Sequence, residues 1–106
     1  MTVNDLITRL DLEVLNLEDG EREITGGYTG DLLSWVMSRA QSGDAWVTIM
    51  TNINVIAVAS LTDVSCVIIA ENAEVAPEII ERAKGQGINL LRTEKTAWRV
   101  CSEPIV

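Results

Sequence analysis

Val3, Leu6, Ile7 and Leu10 recur at spacings of three and four behind the capping residues Thr2 and Asn4, which predicts a short amphipathic helix at the start of the chain. Residues 12–17 then alternate imperfectly and read as a brief strand, stopped by the turn-prone Glu18-Asp19-Gly20. In residues 21–28 only Ile24 and Tyr28 carry much apolar area and a double glycine interrupts the run, so an edge strand ending in a glycine bend is expected. Thr29-Gly30-Asp31 opens the next helix, which carries Leu32, Leu33, Trp35, Val36, Met37 and Ala40 and stops near Ser42-Gly43-Asp44.

The second half is more regular. Residues 45–50 form a strand ending at Thr51-Asn52. The apolar run 53–61 fits a strand or a buried helix, and periodicity alone does not choose. The asparagines ahead of it, its alanines, and the strand-helix-strand order its neighbours demand all favour a helix. Residues 64–70 are almost continuously apolar, the mark of a strand buried on both faces of a parallel sheet. Pro77 starts a helix whose Ile79, Ile80 and Ala83 share a face and which stops at Gly85-Gln86-Gly87. A strand over 88–92 and a helix over 95–101 finish the pattern. The expectation is a single compact α/β domain over residues 1–106. Its sheet is mainly parallel with helices on both faces, βαβαβα order runs through residues 45–102, and an irregular N-terminal helix and edge strands precede that. Right-handed crossovers put ligand-accessible loops at the carboxyl ends of the strands, here Thr51-Asn52, Glu71-Asn72 and Thr93-Glu94.

Composition narrows the chemistry. The 106 residues contain no histidine, so the usual triads and the commonest metal ligand are missing. The net charge of −8 argues against a nucleic-acid partner. Two cysteines 35 positions apart, Cys66 in an apolar run and Cys101 near the end, are too few for a zinc or iron–sulfur site and are expected to stay reduced. The first residues carry neither a basic segment nor an apolar core, and no stretch approaches a membrane span, so a cytoplasmic protein with no membrane partner is expected. A chain of this size removes roughly 11,000 Å² from water on folding, enough for a core without staples.

Several features invite a functional reading. The loop around Gly26 and Gly27 precedes a helix and offers backbone N–H groups to an anion, although a P-loop lysine is lacking. The acidic residues form no paired catalytic carboxylates, no calcium-loop spacing and no metal site. No catalytic residue and no cofactor is expected. Thr51, Asn52, Asn72 and Thr93, at the strand ends, are candidates to contact a nucleotide or another anion. Trp35 and Trp98 lie on amphipathic helices, where tryptophan often anchors an interface. The helix over 53–61 is apolar nearly all round and must be covered on both sides, so Val55, Ile56 and Ala59 are candidates for an interface with a second copy of the chain. Charge is also uneven, at −6 over residues 1–53 and −2 over residues 54–106.

The segments Gly43-Asp44-Ala45-Trp46-Val47-Thr48-Ile49, Ala59-Ser60-Leu61, residues 64–70, Pro77-Glu78-Ile79-Ile80-Glu81-Arg82-Ala83 and Gly87-Ile88-Asn89-Leu90-Leu91-Arg92-Thr93 resemble DRTGG domains. Thr29-Gly30-Asp31-Leu32-Leu33-Ser34 is similar to the free-standing small members of that family. The resemblance implies a non-catalytic accessory domain, similar to the N-terminal domain of HPr kinase. Such domains serve as regulatory or dimer-forming parts of CBS-containing pyrophosphatases and phosphotransacetylases. Some stand-alone members are associated with hydrogenase and redox modules, which implies a metabolic or redox protein as partner. A kinase role is excluded by the missing phosphate-loop lysine. Two functions follow as expectations: a homodimer-forming regulatory or interaction domain, or a small-molecule sensor.

Overall fold

The computed structural model describes residues 1–104 and runs α1 (Val3–Leu10), β1 (Glu13–Asn16), β2 (Gly26–Thr29), α2 (Leu33–Arg39), β3 (Asp44–Thr48), α3 (Asn54–Thr62), β4 (Cys66–Ile69), α4 (Pro77–Gln86), β5 (Leu90–Arg92) and α5 (Ala97–Cys101). The strands make one sheet in the order β1-β5-β4-β3-β2, with β1 antiparallel to β5 and every other pair parallel.

The near-continuous apolar strands are explained by burial on both faces. Successive side chains alternate, so Trp46, Val67, Ile69 and Leu90 pack against Val36, Val55, Ile56, Ala59, Ile79 and Ala83 from α2, α3 and α4. Their neighbours Ala45, Val47, Cys66, Ile68 and Leu91 face the other way, onto Val3, Leu6 and Leu10 of α1 and Val100 of α5. The expected α/β architecture is therefore present, with three helices over one face and two over the other. The apolar run after β3 is helical, over Asn54–Thr62, because the parallel pair β3–β4 needs a crossover between its strands. Among the described residues no helix is long and apolar enough to cross a membrane.

Local chemistry sets the boundaries. Thr2 Oγ1 accepts the Asp5 N–H at 3.1 Å while the Asp5 carboxylate accepts the Thr2 N–H at 2.9 Å, closing a capping box at the start of α1. These bonds hold the Asp5 carboxyl below its ordinary range. Pro77 occupies the first turn of α4, and Gly87 ends that helix at φ 70°. Gly43, at φ 89°, enters β3 where a Cβ would collide with the Thr25 hydroxyl, so only glycine fits.

Three expectations are corrected here. Val55, Ile56 and Ala59 do not face outward: all three are buried in the chain's own core against the sheet. A helix apolar nearly all round gives no clue to its phase, and the exposed positions turn out to be Ile53 at its N-cap and Asn54, Ala57, Ser60 and Leu61 along it. Residues 21–25 are not a continuous strand; Ile24 N–H donates to Met1 O at 2.9 Å and Thr2 bridges Glu23, so this stretch is fastened to the N-terminus instead. Asp31 does not cap α2, whose N-cap is Leu32 with no side-chain bond. Its Oδ1 accepts from Thr48 Oγ1 at 2.7 Å and from Ile49 N–H at 2.9 Å, tying the end of β2 to the end of β3.

Candidate functional site: carboxyl ends of the strands and the outer helix faces

Because β3, β4 and β5 run parallel, their carboxyl ends gather at one edge, and the antiparallel β1 begins there too. Two clefts open at this edge. One, of about 360 Å³, is lined by Asp11, Glu13, Asn72, Arg92, Thr93, Glu94 and Lys95. The other, of about 520 Å³, is lined by Thr51, Arg92 and the segment Glu74-Val75-Ala76-Pro77. Of the residues expected from sequence, Asn72 and Thr93 share the first cleft and Thr51 lies in the second. Asn52 lines neither; its Oδ1 accepts the Asn54 N–H at 2.9 Å ahead of α3. Thr93 is buried, and its hydroxyl accepts the Lys95 N–H at 3.1 Å.

Arg92 belongs to both clefts, although it is not among the residues the sequence singles out. Its Nε donates to Ala73 O at 2.8 Å, Nη2 to Asn72 O at 3.1 Å and Asn72 Oδ1 at 2.9 Å, and Nη1 to Glu13 Oε1 at 3.3 Å. The guanidinium thereby clamps Asn72-Ala73, just past the two consecutive non-glycine residues Glu71 and Asn72 at φ 62° and 56°, a conformation that costs about 1–2 kcal/mol per residue. Lys95 Nζ donates to Leu10 O at 2.8 Å, at the carboxyl end of α1. The Glu71 carboxylate takes the Ala97 N–H at 3.4 Å. Both cations of the first cleft are thus engaged by the chain itself, and Asp11, Glu13 and Glu94 stand beside them. An anion entering here must displace protein acceptors. Among the described residues every buried side-chain nitrogen and oxygen has a partner, and no cluster of metal-ligating side chains occurs.

Gly26 and Gly27 are strand residues of β2, paired with Asp44 and Ala45, and a Cβ on Gly26 would lie 2.7 Å from Asp44 Oδ1. A carboxylate so close to the backbone opposes a phosphate there.

The other candidate surface is apolar. On α3, Ile53, Ala57 and Leu61 follow one another at intervals of four, and Leu61 is 73% exposed. On and before α2, Leu32, Trp35 and Met37 are exposed, and the Arg39 guanidinium sits 3.6 Å over the Trp35 ring, a cation–π contact. Trp98 on α5 is 79% exposed. Trp35 and Trp98 are therefore both exposed on the surface. Of the two thiols, Cys101 is exposed, whereas burial pushes Cys66 up to about 12 and keeps it unreactive.

Comparison with known proteins fits this geometry. Among solved structures, the chain superimposes on the CBS and DRTGG domains of the regulatory region of Clostridium perfringens pyrophosphatase, complexed with the activator diadenosine tetraphosphate. The TM-score is 0.74 at 17% identity, over 94% of this chain and 44% of that one. The chain thus spans less than half the length of that structure. No curated protein matches the sequence. The model of the DRTGG domain matches residues 5–103, nearly the whole chain, which therefore belongs to the DRTGG domain family.

Proposed function

We propose that this chain is a non-catalytic regulatory domain that works by docking to another protein surface, with a second copy of itself as the first partner and a metabolic or redox enzyme as the regulated one. The carrying observation is the contrast between its two candidate surfaces: the cations of the carboxyl edge, Arg92 and Lys95, are engaged internally, while large apolar side chains stand exposed on α2, α3 and α5. Family membership and likeness to part of a pyrophosphatase regulatory region support a regulatory role. Sedimentation velocity from micromolar to millimolar concentration tests the self-association. The expected result is a shift from 11.6 kDa toward twice that mass. A species that stays at 11.6 kDa throughout rules it out.

A second reading has its own support, in the two clefts that share Arg92 and in the phosphorylated activator held by the Clostridium perfringens regulatory region. In that reading a phosphorylated ligand takes Arg92 Nη1 from Glu13, its longest partner. Diadenosine tetraphosphate at a hundredfold excess over Kd would add about 2.7 kcal/mol to stability, or about 12 °C in melting temperature. An unchanged melting temperature at millimolar ligand eliminates this reading.

A further inference from the structure

The first cleft of the carboxyl edge carries more negative than positive charge. Three carboxylates, Asp11, Glu13 and Glu94, line it together with two cations, Arg92 and Lys95, and among the described residues none of its lining side chains is apolar. Only Glu13 of the three carboxylates makes an ion pair among the described residues, with Arg92 Nη1 at 3.3 Å. Asp11 ends α1 in the left-handed conformation, at φ 53°, next to the Leu10 carbonyl that accepts from the Lys95 ammonium. The carboxyl end of a helix is partially negative, so this wall of the cleft attracts cations.

The Glu13–Arg92 pair is the part of this cleft that can open. It is the longest contact of the guanidinium, and the Glu13 side chain is 58% exposed, so the pair contributes little to stability. The bonds from Arg92 to Ala73 O, Asn72 O and Asn72 Oδ1 hold the guanidinium in place when Glu13 leaves. A polyanion that displaced Glu13 would then face three carboxylates across one cavity of about 360 Å³, and like charges oppose it. A ligand with both an ammonium and a carboxylate group replaces what it breaks. Its carboxylate takes Arg92 Nη1, and its ammonium takes the released Glu13. A second positive charge on the same ligand neutralises the remaining acidic excess beside Asp11 and Glu94. Taking the small-molecule reading above as the basis, we propose that this cleft binds a cationic α-amino acid, inserted between Arg92 and Glu13, in place of a phosphorylated anion.

Proton–nitrogen NMR spectra of the isotope-labelled chain test this, with L-lysine as the probe. The amides of Asn72, Thr93 and Lys95 are expected to shift and saturate as L-lysine is added. Cadaverine, which lacks the carboxylate for Arg92, should bind about tenfold more weakly. Glu13→Gln separates the two classes of ligand by sign, and its exposed position leaves the fold intact. The substitution removes the partner of an ammonium group, so L-lysine should bind about fivefold more weakly, whereas it removes the competitor of an anion, so diadenosine tetraphosphate would bind more tightly. L-lysine binding that is unchanged or strengthened by Glu13→Gln overturns the inserted amino acid. Amides that move with diadenosine tetraphosphate and not with L-lysine overturn it too and leave the phosphorylated-ligand reading standing. Amides that move with neither overturn both.

Discussion

Replacing Asn89 with alanine is expected to lower the unfolding free energy by about 3 kcal/mol, close to 15 °C in melting temperature. Asn89 is buried immediately before β5. Its Oδ1 accepts from Glu18 N–H at 2.8 Å and Asp19 N–H at 3.0 Å, while its Nδ2 donates to Asp19 O and Ser65 O, both at 2.9 Å. One amide thus joins the turn after β1 to the entries of β4 and β5. Alanine leaves these backbone groups without a partner; water reaches some of them near the turn, which holds the cost below the sum of four buried losses. Aspartate can still accept the Glu18 and Asp19 N–H groups but loses the two donations and sets a carboxylate oxygen against Asp19 O and Ser65 O, so Asn89→Asp should be destabilised comparably at neutral pH. Urea melts of the three proteins measure this. A loss under about 1 kcal/mol for the alanine variant would show that the staple is dispensable.

Trp46→Ala should cost more, about 4 kcal/mol. Trp46 is fully buried in β3, at the centre of the layer between the sheet and α2–α3–α4, and nothing adjacent can collapse into so large a void without moving a helix. Its Nε1–H also donates to Gly30 O at 3.0 Å, fixing the end of β2. Trp46→Phe separates the two contributions: it retains most of the apolar contact and loses the hydrogen bond, for about 1–2 kcal/mol. Fluorescence follows the same substitution. Trp35 and Trp98 are exposed, so the blue-shifted part of the native emission should disappear with Trp46. If Trp46→Ala stayed within about 1.5 kcal/mol of the parent, the central place given to this side chain would be wrong.

The parallel half was legible because its apolar runs, caps and crossovers agree. Pro77, Gly87 and the run ending at Ala70 each point to one structure. For residues 53–61 the neighbours decided between helix and strand, but nothing in so uniformly apolar a segment reveals which side faces the sheet. Hence the pattern does not separate Val55, Ile56 and Ala59, which are buried against the sheet, from Ile53, Asn54, Ala57, Ser60 and Leu61, which are exposed. The N-terminal half was harder for a different reason. Its geometry comes from distant polar partners: Asn89 holds residues 18 and 19, Arg22 reaches Asp63 at 3.0 Å, and Ser65 Oγ donates to Glu23 O at 2.6 Å. Local patterns say nothing about such pairs. The crossover rule brings Asn72, Thr93 and Thr51 to one edge, while nothing in the local pattern marks Arg92, because its partner Glu13 lies across the fold.

The pairing of β1 with β5 carries a consequence for how the molecule comes into being. Glu13 sits opposite Arg92, 79 positions later in the chain, so one border of the sheet joins nearly the first strand made to the last. Closing so wide a loop is entropically unfavourable until the intervening strands have assembled. During synthesis β1 must therefore wait, an unpaired strand on a growing chain, until Leu90-Leu91-Arg92 has emerged. The acidic residues around it, Asp11, Glu13, Glu18 and Asp19, give that waiting segment the charge that discourages it from pairing with another nascent chain.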